Sequence, residues 1–291
     1  MAAVARRTVS NIGESDVPGL AAEMAYHSLF ALFALLLLLA GLTAIADDVL
    51  GINDMRDRLV ESGRDVLPQN ASSVFEAFVD DVVNTKGEGA VLFGLAGIVW
   101  SGSALIGSAM KGLNRIFKAE ERRGIVRRRL LAMSLALGLG AILVGATILI
   151  VFRGAFADAL HDATGSRVIS ELAVAVLAWP LALALLALVA AILYWLGPDR
   201  DQSFKCVTPG AVLFALGWVV ASIIASLYLQ NAGPVNRTYG LITAVVATIV
   251  WLYWSNLLFL AGAVLNVQVE DIRTDDVTSS ANAEQPRKAQ P

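Results

Sequence analysis

Cysteine, histidine and charge are what this sequence has least of. A single cysteine, Cys206, stands among 291 residues, so neither an intramolecular disulfide nor a CxxC zinc site can be built. The two histidines, His27 and His161, lie far apart in sequence, whereas metal-assisted phosphodiester hydrolysis wants clustered ligands around an open cation site. No P-loop, G-x-S-x-G or HExxH string occurs, which leaves ATP-driven transport and hydrolase chemistry without sequence support. Charged residues are only 16% of the chain, and the formal net charge of -3 is too small to argue for a strongly acidic or basic partner. No internal repeat is strong enough to mark an inverted-repeat transporter.

What is present is apolar. Such residues fill 57% of the chain, against about 45–50% in soluble domains, and they lie in uninterrupted blocks. A hydrocarbon core of about 30 Å needs roughly 20 apolar residues in helical form, because lipid leaves each backbone N–H and C=O to be satisfied within the segment. Six segments meet that length: 25–46, 90–110, 130–152, 172–196, 209–229 and 239–265. No clear A-x-A cleavage site follows the first, which therefore reads as a retained helix. The expected fold class is all-α, a polytopic membrane protein of six transmembrane helices with a short external amphipathic helix. Its parts are a cytoplasmic segment 1–24, the transmembrane domain 25–265 and a tail 266–291. That tail is polar beyond Val269 and is expected to be disordered.

Orientation follows from the lysines and arginines between spans, which number 2, 4, 8, 2, 2, 1 and 3 from the N-terminus. Alternate flanks carry fifteen against seven, which places both termini in the cytoplasm. The basic loop 111–129 dominates that count. The segment 47–89 holds ten acidic against four basic residues and would face outward. Within it Val74, Phe75, Phe78, Val79, Val82 and Val83 recur at helical spacing after an N-cap at Ser72 or Ser73, predicting an amphipathic helix over the external mouth of the bundle. That helix serves either as packing over the bundle or as a gate or docking surface.

Polar groups near helix ends are the candidates for a polar route. Glu23 and His27 are spaced i, i+4 and share a face, where they can exchange a proton or simply sit at headgroup level. Asn114 and Arg115 follow the second span, Asn256 lies on the sixth, and Asn266 lies at its cytoplasmic end. Asn256 is deep enough to need an interhelical partner, as structural glue or as part of a polar site. Gly97 with Ser101, Ser103 with Gly107, and Ser108 with Gly112 have small-xxx-small spacing, and Ser134, Gly138, Ala141 and Gly145 continue the theme on the third helix, so these two helices are expected to pack together. Pro180 predicts a kink in the fourth helix. The basic stretch could also meet anionic headgroups, although topology alone explains it.

The strings AYHSLFALFALLLLLAG, IVWSGSALIGSAMKGLNRIF and PGAVLFALGWVVASIIASLYLQNAGPVNRTYGLITAVVATIVWLYWSNLLFLAGAVLNVQVE resemble the YihY/BrkB family of bacterial inner-membrane proteins. Trp218, Tyr228, Tyr239, Gly240, Trp251 and Gly262 match its landmarks, as does the run Leu113, Asn114, Arg115. One departure is visible: the family's first helix usually reads S-L-F-P, where this chain has Ala31, Leu32, Phe33 and Ala34. The resemblance implies six spans with both termini inside, in the bacterial plasma (inner) membrane. It associates members with envelope or lipid export and with serum resistance, and it marks an old ribonuclease name as a misassignment. The expected function is thus a transporter or exporter of a lipid or envelope-related amphipathic molecule, with a non-transporting scaffold as the alternative and a ribonuclease far behind. No enzymatic activity and no cofactor is expected. The partners this reading allows are membrane lipids and further copies of the chain in a homo-oligomer, with nucleic acid excluded.

Overall fold

A computed structural model describes residues 16–50, 55–66, 69–84, 87–151, 157, 160–162, 165–200, 204–231 and 233–284. We number the helices in chain order. They are α1 (Val17–Leu50), α2 (Met55–Val66), α3 (Gln69–Asn84), α4 (Gly87–Gly97), α5 (Ser103–Ile116), α6 (Ile125–Val151), α7 (Arg167–Leu196), α8 (Phe204–Asn231) and α9 (Gly233–Glu284). A π-helical turn, Ile98–Gly102, joins α4 to α5 without breaking the rod. Among the described residues no strand occurs, and five helices are long and apolar enough to cross a membrane, joined by the shorter apolar stretch Pro180–Leu196. The chain is an all-α polytopic membrane protein, and its apolar exterior is what lipid requires: Phe93 and Trp100 are each 75% exposed.

The packing order around the bundle is α1, α9, α8, α7, α6 and the α4–α5 rod, which returns to α1. Packing across this ring runs through α5, which touches both α7 and α9. At that end α1, α6 and α8 begin while α5 and α7 finish, and arginines crowd the connections, so we call it the arginine end. Met110, Leu113, Leu260 and Tyr194 fill the ring there, all fully buried. At the opposite end α2 and α3 form a hairpin that packs on α1 and α4 and reaches α6 and α9, spanning the mouth of the ring. Its small separate core is Ala40, Leu59, Val60, Val79 and Val82.

Several expectations change in detail. α1 begins at Val17, not at residue 25, so Glu23 and His27 stand well inside a helix. The amphipathic helix exists, but it starts at Gln69, which places Ser72 and Ser73 inside it and not at its N-cap, and α2 precedes it as an unforeseen partner. Arg56 donates to Asp80 at 2.7 Å and Arg64 to Glu76 at 2.6 Å, so charge pairing between the two helices completes what the apolar face of α3 starts. The basic loop shrinks, because α5 runs on to Ile116 and α6 already starts at Ile125. Lys118, at φ +52°, turns the chain out of α5. Pro209 lies inside α8, not at its start, where its missing N–H falls in the second turn.

α9 runs on as a helix to Glu284, into the segment 266–291 for which composition predicts disorder. A polar composition argues against burying a core. It does not stop a helix already nucleated in the bundle from propagating at small cost per residue. Residues 285–291, and Arg6 and Arg7 of the N-terminal segment, fall outside the described residues.

Candidate functional site: a polar knot at the arginine end

The connection from α5 to α6 and the one from α7 to α8 are tied by buried and half-buried polar groups. Asn114, on the last turns of α5, donates to Glu121 at 2.9 Å and accepts the backbone N–H of Asp199 at 2.8 Å. Arg123 donates to the carbonyls of Leu196 (3.3 Å), Gly197 (3.2 Å) and Pro198 (2.9 Å), and its Nε lies 3.1 Å from the Asp199 carboxylate. The last carbonyls of a helix carry partial negative charge and lack intrahelical partners, so a guanidinium is the natural C-terminal cap for α7. The backbone N–H of Arg122, 2.7 Å away, holds the Asp199 carboxyl below its usual range, burial works against this, and the charge of Arg123 helps. Arg128 reaches Glu121 at 3.8 Å and donates to the carbonyl of Gly107 at 3.0 Å, which anchors α6 to α5.

A second knot joins α7, α8 and α9. Gly210 donates its backbone N–H to Asn266 Oδ1 at 2.7 Å, and a side chain on either Gly210 or Gly262 would strike the other helix's backbone. This near-contact of two main chains is why both positions are glycine. Tyr194, fully buried, donates to the carbonyl of Phe259 at 2.5 Å and stacks on its ring at 4.7 Å. Arg200 pairs with Glu270 and lies 4.7 Å over the ring of Phe117.

The residues marked as a polar route are not gathered into one path. Glu23 pairs with Lys111 at 2.7 Å instead of with His27, which meets the ring of Tyr26 edge-on at 5.3 Å. Arg115 is exposed and lies 3.7 Å from Asp16. Asn256 donates to Ser28 at 3.0 Å and to the carbonyl of Leu252 at 2.8 Å, which bolts α9 to α1. Asn114 and Asn266 belong to the two knots at the arginine end. Trp218 and Trp251 lie 5.7 Å apart between α8 and α9, and Trp251 donates to Ser222 at 3.2 Å. Tyr228, Tyr239 and Gly240 are helical in backbone, and the surroundings of their side chains lie outside the described residues.

Glu121, Arg123, Asp199 and Tyr194 are not among the residues that the sequence marks for a polar route. A signal existed for the first, because Glu120 and Glu121 are the only acids in the basic stretch 111–129. Nothing in sequence spacing pairs Arg123 with a loop 73 to 75 residues away. The small residues of the second span serve three neighbours: a Cβ on Gly97 would meet Ala34 of α1 at 2.8 Å, one on Gly102 would meet Ala136 of α6 at 3.3 Å, and one on Gly112 would meet Leu260 of α9 at 3.1 Å. Its serines bond back to their own helix, Ser101 to Gly97, Ser103 to Trp100 and Ser108 to Leu105, which favours packing over a serine-lined route. α6 does pack on this rod, but through Ala132, Leu135, Ala136 and Leu139. Ser134, Gly138, Ala141 and Gly145 are exposed on its other side, contrary to the expectation that this stripe makes the contact.

The second half of the ring is built differently. Among the described residues, none of 140–147 on α6, 180–188 on α7, 216–227 on α8 or 245–251 on α9 is buried. All of these lie toward the hairpin. There α1 remains closely paired with α4, where a Cβ on Gly94 would come within 2.7 Å of the Leu38 backbone nitrogen, and α8 with α9 through Trp251. Among the described residues the ring is filled at the arginine end and the hairpin packs at the other, while these segments between contribute apolar residues that are partly buried, such as Ile142, Leu186 and Trp218, or exposed.

Comparison with known proteins gives a consistent relationship. The family described as "Virulence factor BrkB" matches residues 8–288. The ribonuclease-like protein YfkH of Bacillus subtilis is 28% identical over 84% of this chain and 87% of its own. A UPF0761 membrane protein of Rhodospirillum rubrum is 27% identical over 87% of this chain, which spans 56% of that relative's length. Another, from Idiomarina loihiensis, is 28% identical over 71% of this chain and 70% of its own. No solved structure matches.

Proposed function

As the chain belongs to the Virulence factor BrkB family of membrane proteins, we propose that it takes a lipid or other amphipathic envelope molecule into the half of its ring toward the hairpin and moves it across the bilayer. The observation that carries this reading is the one-sided packing: four helices contribute buried residues at the arginine end and none, among those described, toward the hairpin. Apolar walls suit acyl chains, and the hairpin across the mouth is placed to govern entry. By the distribution of arginine and lysine, the arginine end and both termini face the cytoplasm and the hairpin faces outward, in the bacterial plasma membrane.

Purified protein reconstituted into vesicles should speed the exchange of a fluorescent phospholipid between leaflets, read by dithionite quenching. Ile142→Trp and Leu186→Trp, at partly buried positions of α6 and α7 in that half, should slow it. Exchange no faster than in protein-free vesicles, for phospholipid and glycolipid alike, would remove the reading.

A non-transporting scaffold is supported by a different observation. Asn114, Asn256 and Asn266 all make hydrogen bonds between helices or connections, as structural ties do. A stoichiometric partner retained through purification would favour this alternative. A nuclease reading, which the name of the Bacillus relative suggests, finds no cluster of three or more potential metal ligands among the described residues.

A further inference from the structure

We propose that the π turn Ile98–Gly102 is a hinge on which α5, the helix that fills the ring at the arginine end, moves against α4, with the bonds of Asn114 as its latch. A π turn spends one residue more than an α turn, so the rod carries a surplus residue at this one place among its described turns. The backbone ladder there has more than one solution, since the Ser103 N–H is shared between the carbonyls of Val99 and Trp100. In lipid a changing ladder must not strand a carbonyl, because no water is present to receive it. Two hydroxyls meet that need: Ser101 donates to the carbonyl of Gly97 at 2.5 Å and Ser103 to that of Trp100 at 2.9 Å. The largest side chain of the turn, Trp100, is 75% exposed with the long Arg129 side chain 5.6 Å over its ring, so it can follow the backbone.

The two halves of the rod are fastened by different means. α4 is fixed to α1 by close approach: a Cβ on Gly94 would come within 2.7 Å of the Leu38 backbone nitrogen, and one on Gly97 within 2.8 Å of Ala34. α5 ends instead in polar ties, Lys111 with Glu23, Arg115 with Asp16, and Asn114 with Glu121 and the Asp199 N–H. Water can replace such ties at a small net cost where they lie at the membrane surface. Met110 and Leu113, fully buried, make the filled position of α5 the resting one. Because α5 touches both α7 and α9 across the ring, its movement opens or closes the arginine end. The inference is independent of whether the ring transports anything.

The test is pulsed electron spin resonance on the full chain in lipid nanodiscs, with Cys206→Ser and spin labels on cysteines at exposed positions. Phe93→Cys with Lys118→Cys spans the π turn from α4 to the end of α5, and Phe33→Cys with Phe93→Cys spans α1 and α4. The first pair should show a major and a minor distance, and the second pair a single one. Asn114→Ala and Glu121→Ala should each raise the share of the minor distance about threefold, the population change that one hydrogen bond is worth. Deletion of Val99 closes the turn to an α-helix and leaves both halves of the rod in register. That variant should fold, keep a Tm close to the wild type and show the major distance alone. Deletion of Leu105, within α5, turns Leu113 and Asn114 away from their partners and should abolish folding. A single distance across the turn in the wild type and in both unlatched variants would overturn the proposal. So would a Val99 deletion that fails to fold or keeps both distances, or an α1–α4 pair that varies as widely as the pair across the turn.

Discussion

Gly210 and Gly262 bring the main chains of α8 and α9 so close that neither position has room for a methyl group, and Asn266, one turn beyond Gly262, accepts the Gly210 N–H at 2.7 Å. The consequence is a crossing fixed by backbone atoms, which cannot relax by changing a rotamer. Gly210→Ala and Gly262→Ala should each lower stability by about 2 kcal/mol or more, in line with overpacking in cores. Their apparent Tm in detergent should fall well below that of the wild type, and an unchanged Tm would contradict the close approach.

Tyr194 supplies a graded test of the same knot. Tyr194→Phe keeps the stack on Phe259 but removes the bond to its carbonyl, so the expected loss is about 1 kcal/mol. Tyr194→Ala leaves a cavity at the centre of the arginine end and should cost about 3–5 kcal/mol, as aromatic truncations do. Comparable losses for the two variants would mean that the ring contributes little.

The glycines of the lipid-level helices should fall into two groups. A Cβ on Gly94 would come within 2.7 Å of the backbone of Leu38, whereas one on Gly138 meets nothing within 4 Å. Gly94→Ala should therefore destabilise α1 against α4. Gly138→Ala should be neutral or slightly stabilising, because alanine is the better helix former. Thermal unfolding of the pair in one detergent is the measurement, and the reverse order would refute the assignment of faces.

Asp199 predicts a response to acid. Its folded carboxyl titrates below the ordinary value of 3.8 because the Arg122 backbone N–H and the Arg123 charge favour the ionised form. A group with a depressed folded pKa contributes stability that is complete above its unfolded value and is lost as pH falls through the folded one. The wild type should lose stability below about pH 4, and Asp199→Asn should start lower and show a shallower acid dependence in the same range. Parallel curves would rule out this contribution.

In the hairpin, burial should outweigh charge. Val79 is fully buried against Leu59 and Val60, so Val79→Ala should loosen α3 measurably. Arg64 binds Glu76 from a largely exposed position, so Arg64→Ala should have little effect on unfolding. Limited proteolysis of the hairpin, with cleavage accelerated in the first variant and not in the second, would establish this order.

The sequence by itself determined that the chain lives in lipid and is helical, because long apolar runs must satisfy their own backbone in hydrocarbon. It also disclosed the amphipathic α3 through the spacing of Phe75, Phe78, Val79 and Val82, and it marked Asn114, Asn256 and Asn266 as groups in need of partners. Only the tertiary structure decided who those partners are: Glu121 and Asp199, Ser28, and the backbone of Gly210. It also turned the stripe of Ser134 and Gly138 outward. The physical reason is that lipid demands apolar side chains on the outside of a helix just as its neighbours do within. Hydropathy therefore cannot tell one face from the other, and only the packing assigns each residue to lipid or to protein.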